Sequence, residues 1–183
     1  MATQLKNILI GLILTMFSCQ PNPNKSSSNK EQEKFIIDDN AISKFQWTQL
    51  ADSTKLKVCY LQFNFLNFPD DNFIGKNILS FKDSISNIFF VLSNKQRLDL
   101  LNLVSDTSNY SEGDCGTFHL NAGFIILDNK NIVATIDIGC GFNQWNFNPE
   151  IPNSKHTSFN ENGFKNMEKL LDDINLNRKN FEH

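Results

Sequence analysis

The stretch FHLNAGFIILDNKNIVATIDIGC, Phe118 to Cys140, decides how this chain folds. Phe118, Leu120, Ala122, Phe124 and Ile126 alternate with His119, Asn121, Gly123, Ile125 and Leu127, a period of two that places successive side chains on opposite faces of a strand. Asp128 to Asn131 then supplies acid and amide residues that tolerate positive φ, the chemistry of a hairpin turn. Ile132, Ala134, Ile136 and Ile138 return on one face, with Val133, Thr135 and Asp137 on the other. The stretch predicts a β-hairpin in which facing residue numbers sum to about 259, which sets Cys140 opposite His119.

Working outward, Gly139 and Gly141 flank Cys140 with the backbone freedom for a sharp bend. The run that follows, Phe142, Asn143, Gln144, Trp145, Asn146, Phe147 and Asn148, is aromatic and rich in amides. Pro149 and Pro152 lead to the expectation of an irregular segment here rather than a strand. Aromatic faces beside side-chain amides suit a sugar or a peptide, so Phe142, Asn143, Gln144, Trp145 and Phe147 are the candidate ligand-binding residues. The competing expectation is that Phe142 and Trp145 anchor a loop over the core.

Upstream, Lys55 to Phe65 is dense in β-branched, aromatic and apolar residues and predicts a central strand. Phe68 to Asn72 ends it with turn residues, which account for the paired Asp70 and Asp71 without a calcium loop. A short apolar run predicts a second strand over Ile85 to Leu92. Ser93 and Gln96 have the spacing of a capping box, and Leu98, Leu100, Leu101, Leu103 and Val104 give the helix after it an apolar stripe. Asp38 to Asn40 is expected to cap a short helix from near Ala41, and Trp47 reads as a packing residue. A last amphipathic helix begins between Asn160 and Gly163, carries Phe164, Met167, Leu170, Leu171 and Ile174, and is expected to fray after Leu176. The fold class is therefore α+β, an antiparallel sheet of about four or five strands packed against two helices on one face.

At the N-terminus, Lys6 is followed by an apolar run from Ile8 to Phe17, too short to span a bilayer, and Ser18 precedes Cys19. This resembles a bacterial lipoprotein signal peptide, although Met16 and Phe17 depart from its usual residues. The resemblance implies a signal peptide over residues 1–18, lipidation (palmitate) at Cys19, and an envelope location anchored to a membrane, and the lack of an acidic run just after Cys19 favours a domain facing the periplasm. Gln20 to Lys34 is polar and reads as a flexible tether, which leaves residues 35–183 as a single globular domain.

That setting shapes the cysteine chemistry. An oxidising compartment favours disulfides, and Cys59, Cys115 and Cys140 remain in the mature domain. Pairing Cys115 with Cys140 closes a loop of about 25 residues, worth roughly 3 kcal/mol in the chain-entropy model. The competing choice pairs Cys59 with one of the two, Cys140 ahead of Cys115. A soft-metal site of Cys115, His119, Cys140 and Cys59 lacks a CxxC pair, and a Cys115 nucleophile served by His119 and Asp114 rests on spacing alone. Neither is adopted: the expectation is no catalytic residue, no metal and no cofactor. His156 and His183 read as solvated. The net charge of −3 and the absence of a basic patch argue against nucleic acid.

The run AGFIILDNKNIVATIDIGCG, Ala122 to Gly141, followed by a helix near Gly163, resembles uncharacterised small bacterial lipoproteins with a cysteine-ended hairpin and a C-terminal helix. That resemblance covers the second half of the chain and implies no activity. The functional expectation is a membrane-tethered, non-enzymatic envelope protein that recognises a protein or peptide, in an inhibitory or immunity-like role. The alternative is a glycan or small-ligand binder that uses the Phe142 to Phe147 surface.

Overall fold

A computed structural model of the chain describes residues 35–52, 54–63, 73–81, 90–113, 116–151 and 158–181, the side chains of Asp52 and of residues 176–181 excepted. All of them lie in one compact unit, Gln32–His183. The signal, Cys19 and the tether lie outside the described residues, as do Asp70, Asp71, Cys115, His156 and His183. Among the described residues, no helix is long and apolar enough to cross a membrane.

The class is α+β, with more strands than the sequence suggested. Among the described residues, eight strands form one sheet: β1 (Ile36–Ile37), β2 (Leu56–Gln62), β3 (Phe90–Val91), β4 (Tyr110–Ser111), β5 (Leu120–Asp128), β6 (Asn131–Gly139), β7 (Gln144–Asn148) and β8 (Ser158–Phe159). Their order is β3-β2-β5-β6-β7-β8-β4, and β1 adds to β6 in parallel. All other pairings are antiparallel. The β5–β6 hairpin is the centre, as the Phe118 to Cys140 pattern requires, and β2 pairs over its whole length with Ala122 to Asp128 of β5. Strand β6 shares its other side between β7, at Thr135 to Gly139, and β1, at Asn131 and Ile132.

Both faces of this sheet are apolar, which is why the alternation in β5 carries hydrophobic residues in both registers. One face holds Val58, Tyr60, Phe124, Ile126, Ile136, Ile138, Trp145 and Phe147 in the larger core cluster. The other face gathers Cys59, Leu61, Ile125, Leu127 and Ile132 with Ile78 and Phe81 of a 3-10 turn (Ile78–Phe81). The hairpin pairs at sums of 259 and 260, and Cys140 N–H donates to His119 O at 3.3 Å. One expectation about β6 is corrected. A register shift between Ile126 and Leu127 inserts an extra residue near Val133, so Val133 joins the helix side and Ile132 the opposite core instead of sharing a face with Ala134. A β-bulge moves every residue beyond it to the other side.

Among the described residues, four helices accompany the sheet: α1 (Asp39–Lys44), α2 (Gln49–Asp52), α3 (Asn94–Ser105) and α4 (Glu161–Phe181). Asp38 caps α1 by accepting the Asn40 and Ala41 amides, and Ser93 with Gln96 closes the expected capping box on α3. Trp47 is in the core, its indole N–H donating to Pro149 O at 3.1 Å. Helix α4 continues to Phe181, past the point where fraying was expected. Helices α3 and α4 are locked together at buried Asn109, whose amide donates to Leu103 O at 3.0 Å while its carbonyl accepts Asn160 N–H at 2.9 Å. Gly163 sits against that carbonyl. Any Cβ there would collide with Asn109 O, so glycine is what lets α4 start this close to the end of α3.

Candidate binding site at the Cys140 to Gln144 turn

The turn that joins β6 to β7 is the most unusual backbone among the described residues. Three successive residues are left-handed: Cys140 at φ 53, Gly141 at φ 67 and Phe142 at φ 72. Glycine adopts this region freely, whereas a residue with a Cβ gives up about 1–2 kcal/mol there. Such conformations persist only where the surroundings over-determine them, and they cluster at sites of function.

The surroundings are specific. Cys140 is disulfide-bonded, and Cys59 is free and buried. The Cys59 with Cys140 pairing is therefore excluded, and the partner of Cys140 lies outside the described residues. Cys140 Sγ rests 3.9 Å from Thr117 O and 3.2 Å from Gln144 Oε1. A bonded sulfur has no proton to give to either oxygen, so these are packing contacts. Gly141 N–H donates to Asn121 Oδ1 at 3.1 Å, Asn143 N–H donates to Cys140 O at 3.4 Å, and Phe159 N–H donates to Asn143 O at 3.2 Å. Finally, the Trp145 indole N–H donates to Phe142 O at 3.1 Å.

The aromatic run behaves differently from a presented loop. Gln144–Asn148 is a strand, and its strict alternation turns Trp145 and Phe147 inward. Trp145 is 0% exposed and packs against Phe124 and Phe159, with ring centroids 5.7 and 5.1 Å away. Phe147 is 8% exposed and meets Trp47 edge-on. Of the five candidate residues, only Phe142, Asn143 and Gln144 keep accessible surface. Burial of the larger rings gains more than a flat stacking platform would, because each hides well over 100 Å² of apolar surface.

Phe142 does border a concavity. A groove of about 310 Å³ lies between the turn and α4, floored by Tyr60, Met167 and Leu171 and edged by Phe142, Phe164, Glu168, Asp172 and Asn175. Phe164, Met167, Glu168, Leu171, Asp172 and Asn175 fall at three- and four-residue spacing, hence on one face of α4. Sequence reading recognised that face as a packing stripe but could not foresee that Phe142 would close its open end.

No family model, curated protein or solved structure matches the chain.

The remaining candidates do not gather into a reactive centre. Cys59 opposes Ile125 in β2, and burial pushes its thiol up to about 12, so it stays a neutral apolar filler. His119 lies at the start of the hairpin, bridged to Ile74, with its ring 6.0 Å from Phe73. Among the described residues, no three His, Cys, Asp or Glu side chains come together as metal ligands would. Asp137, on the face away from α3 and α4, accepts Ile78 N–H at 2.8 Å and so fixes the 3-10 turn against the sheet. Burial pushes its carboxyl up to about 6, against the lowering effect of that hydrogen bond. Larger concavities also lie among the described residues. One of about 570 Å³ separates α1 and α2 from the hairpin tip. Another, of about 890 Å³, lies along α3 and α4, where Lys95 is paired with Asp99 at 2.7 Å.

Proposed function

We propose that this is a lipid-anchored envelope protein whose domain is a non-enzymatic module that recognises a protein or peptide through the groove beside Phe142. Cys19 carries the lipid, residues up to 34 form the tether, and the domain faces the periplasm in an inhibitory or immunity-like role. The lipoprotein-like N-terminus supports the location. The binding half rests on one observation: strained backbone at Cys140 to Phe142, held by a disulfide and by a buried indole, keeps a half-buried aromatic ring at the mouth of a groove. Backbone strain of this kind clusters at sites that bind or switch, which supports the reading.

Cys115 is the proposed partner of Cys140. Cys59 is free, Cys19 is taken by acyl chains in this reading, and the Cys140 sulfur lies beside the Thr117 carbonyl, two residues from Cys115.

A sugar platform is less well supported, since Trp145 and Phe147 are core residues and Phe142 alone offers a ring. Affinity capture from envelope membranes with the full chain and a Phe142→Glu variant tests the proposal. A protein retained by the first and lost by the second supports it. Equal retention by both contradicts it.

A further inference from the structure

We infer that residues 73–81 form a pH-sensitive clasp on the sheet face away from α3 and α4, held against β5 and β6 while Asp137 is protonated and released locally when it ionises. Asp137 and Gly123 are partners across β6 and β5, so they share that face. Gly123 leaves a notch that the Ile78 side chain fills: a Cβ there would lie 2.6 Å from Ile78 Cδ1. Beside the notch, the Asp137 carboxyl accepts Ile78 N–H at 2.8 Å. Further bonds tie the start of the segment to the hairpin. Gly75 N–H donates to Phe118 O at 3.1 Å, Leu120 N–H donates to Phe73 O at 3.2 Å, and Phe73 and Phe81 pack on Phe63. Between these anchors Ile74, Gly75, Lys76, Asn77 and Ser80 are exposed. A segment with so few buried contacts opens by itself, without unfolding of the sheet beneath it.

Ionisation works against docking. The clasp takes the Asp137 carboxyl largely out of water, and among the described residues the donor it is offered is Ile78 N–H. Its neighbours on that face are uncharged, Gly123 of β5 and Asn146 of β7. Lys76, the charged residue of the segment, lies over the Phe81 ring with Nζ 5.5 Å from the centroid, and His119 stands at the other end of the clasp, its ring 6.0 Å from Phe73. Burial pushes the Asp137 carboxyl up to about 6, from an ordinary value of about 4. The docked segment therefore binds more protons than the open one between those values, and its hold weakens as pH rises from about 4 to about 6 and is constant beyond. The groove beside Phe142 lies on the opposite face, so this device is independent of the binding reading.

The test is amide hydrogen exchange on the full chain in neutral detergent micelles, labelled with 15N-isoleucine, each rate being divided by the intrinsic rate at that pH. Ile78 is expected to open about tenfold more often, or more, than Ile125 and Ile136 of the central hairpin. Its opening is expected to rise about tenfold from pH 5 to pH 7.5. Asp137→Asn keeps an acceptor for Ile78 N–H and is expected to hold the opening constant over the same range. Exchange of Ile78 no faster than that of Ile125 and Ile136 overturns the inference, because the segment then leaves only with the whole fold. An opening that does not change with pH in the parent chain overturns it too, whether or not the variant folds. An equal rise in parent and variant overturns the assignment to Asp137 and moves the response to another group, such as His119.

Discussion

The indole N–H of fully buried Trp145 donates to the main-chain carbonyl of Phe142 at 3.1 Å, so the deepest aromatic of β7 holds the backbone of the residue left at the surface. Core and site are thus one mechanical unit. Trp145→Phe keeps a ring in the core but leaves that carbonyl without its donor and opens a small void. It is expected to cost about 2–3 kcal/mol in urea unfolding, from the void and the lost bond together.

Phe142 itself separates strain from packing. At φ 72 any Cβ is disfavoured, so Phe142→Gly is expected to be more stable than Phe142→Ala by about 0.5–1 kcal/mol. At an ordinary loop position the order is reversed, because glycine adds entropy to the unfolded chain. Paired denaturation curves of the two variants decide it.

Asp137 gives a signed pH dependence. Its carboxyl is pushed up to about 6 in the fold, above the ordinary value near 4, so the folded state binds more protons between those pH values. Stability from this group therefore falls as pH rises from about 4 to about 6 and is constant beyond. Asp137→Asn keeps an acceptor for Ile78 N–H and removes the titration. Relative to the parent chain it is expected to gain about 1–3 kcal/mol between pH 4 and pH 7. Parallel stability curves for the two proteins would rule this out.

How much of this was legible beforehand depends on which force dominates each element. The β5–β6 hairpin, the Ser93 capping box and the α4 stripe are local patterns, and the structure keeps them. Strand β7 was misread as irregular because Pro149 and Pro152 lie close behind it. Yet Gln144, Trp145, Asn146, Phe147 and Asn148 alternate polar and apolar, and that period of two was the signal. The short strands β1, β4 and β8 have no periodicity of their own and exist because β6, β7 and one another offer edges to pair with. The groove could not be read at all, since it joins Phe142 to Phe164 through the fold and not through the chain.

The cysteines make a further prediction. Peptide mapping without reductant is expected to recover Cys115 joined to Cys140, and Cys140→Ser is expected to cost about 2–4 kcal/mol. Iodoacetamide is expected to label Cys59 only after unfolding, since burial pushes its thiol up to about 12.

The most direct measurement places a photo-crosslinking phenylalanine, p-benzoylphenylalanine, at position 142 of the full chain in its native envelope, with the same residue at exposed Glu112 as control. The account predicts a protein adduct from position 142 alone. No protein adduct at 142, or equal adducts from 142 and 112, would contradict it.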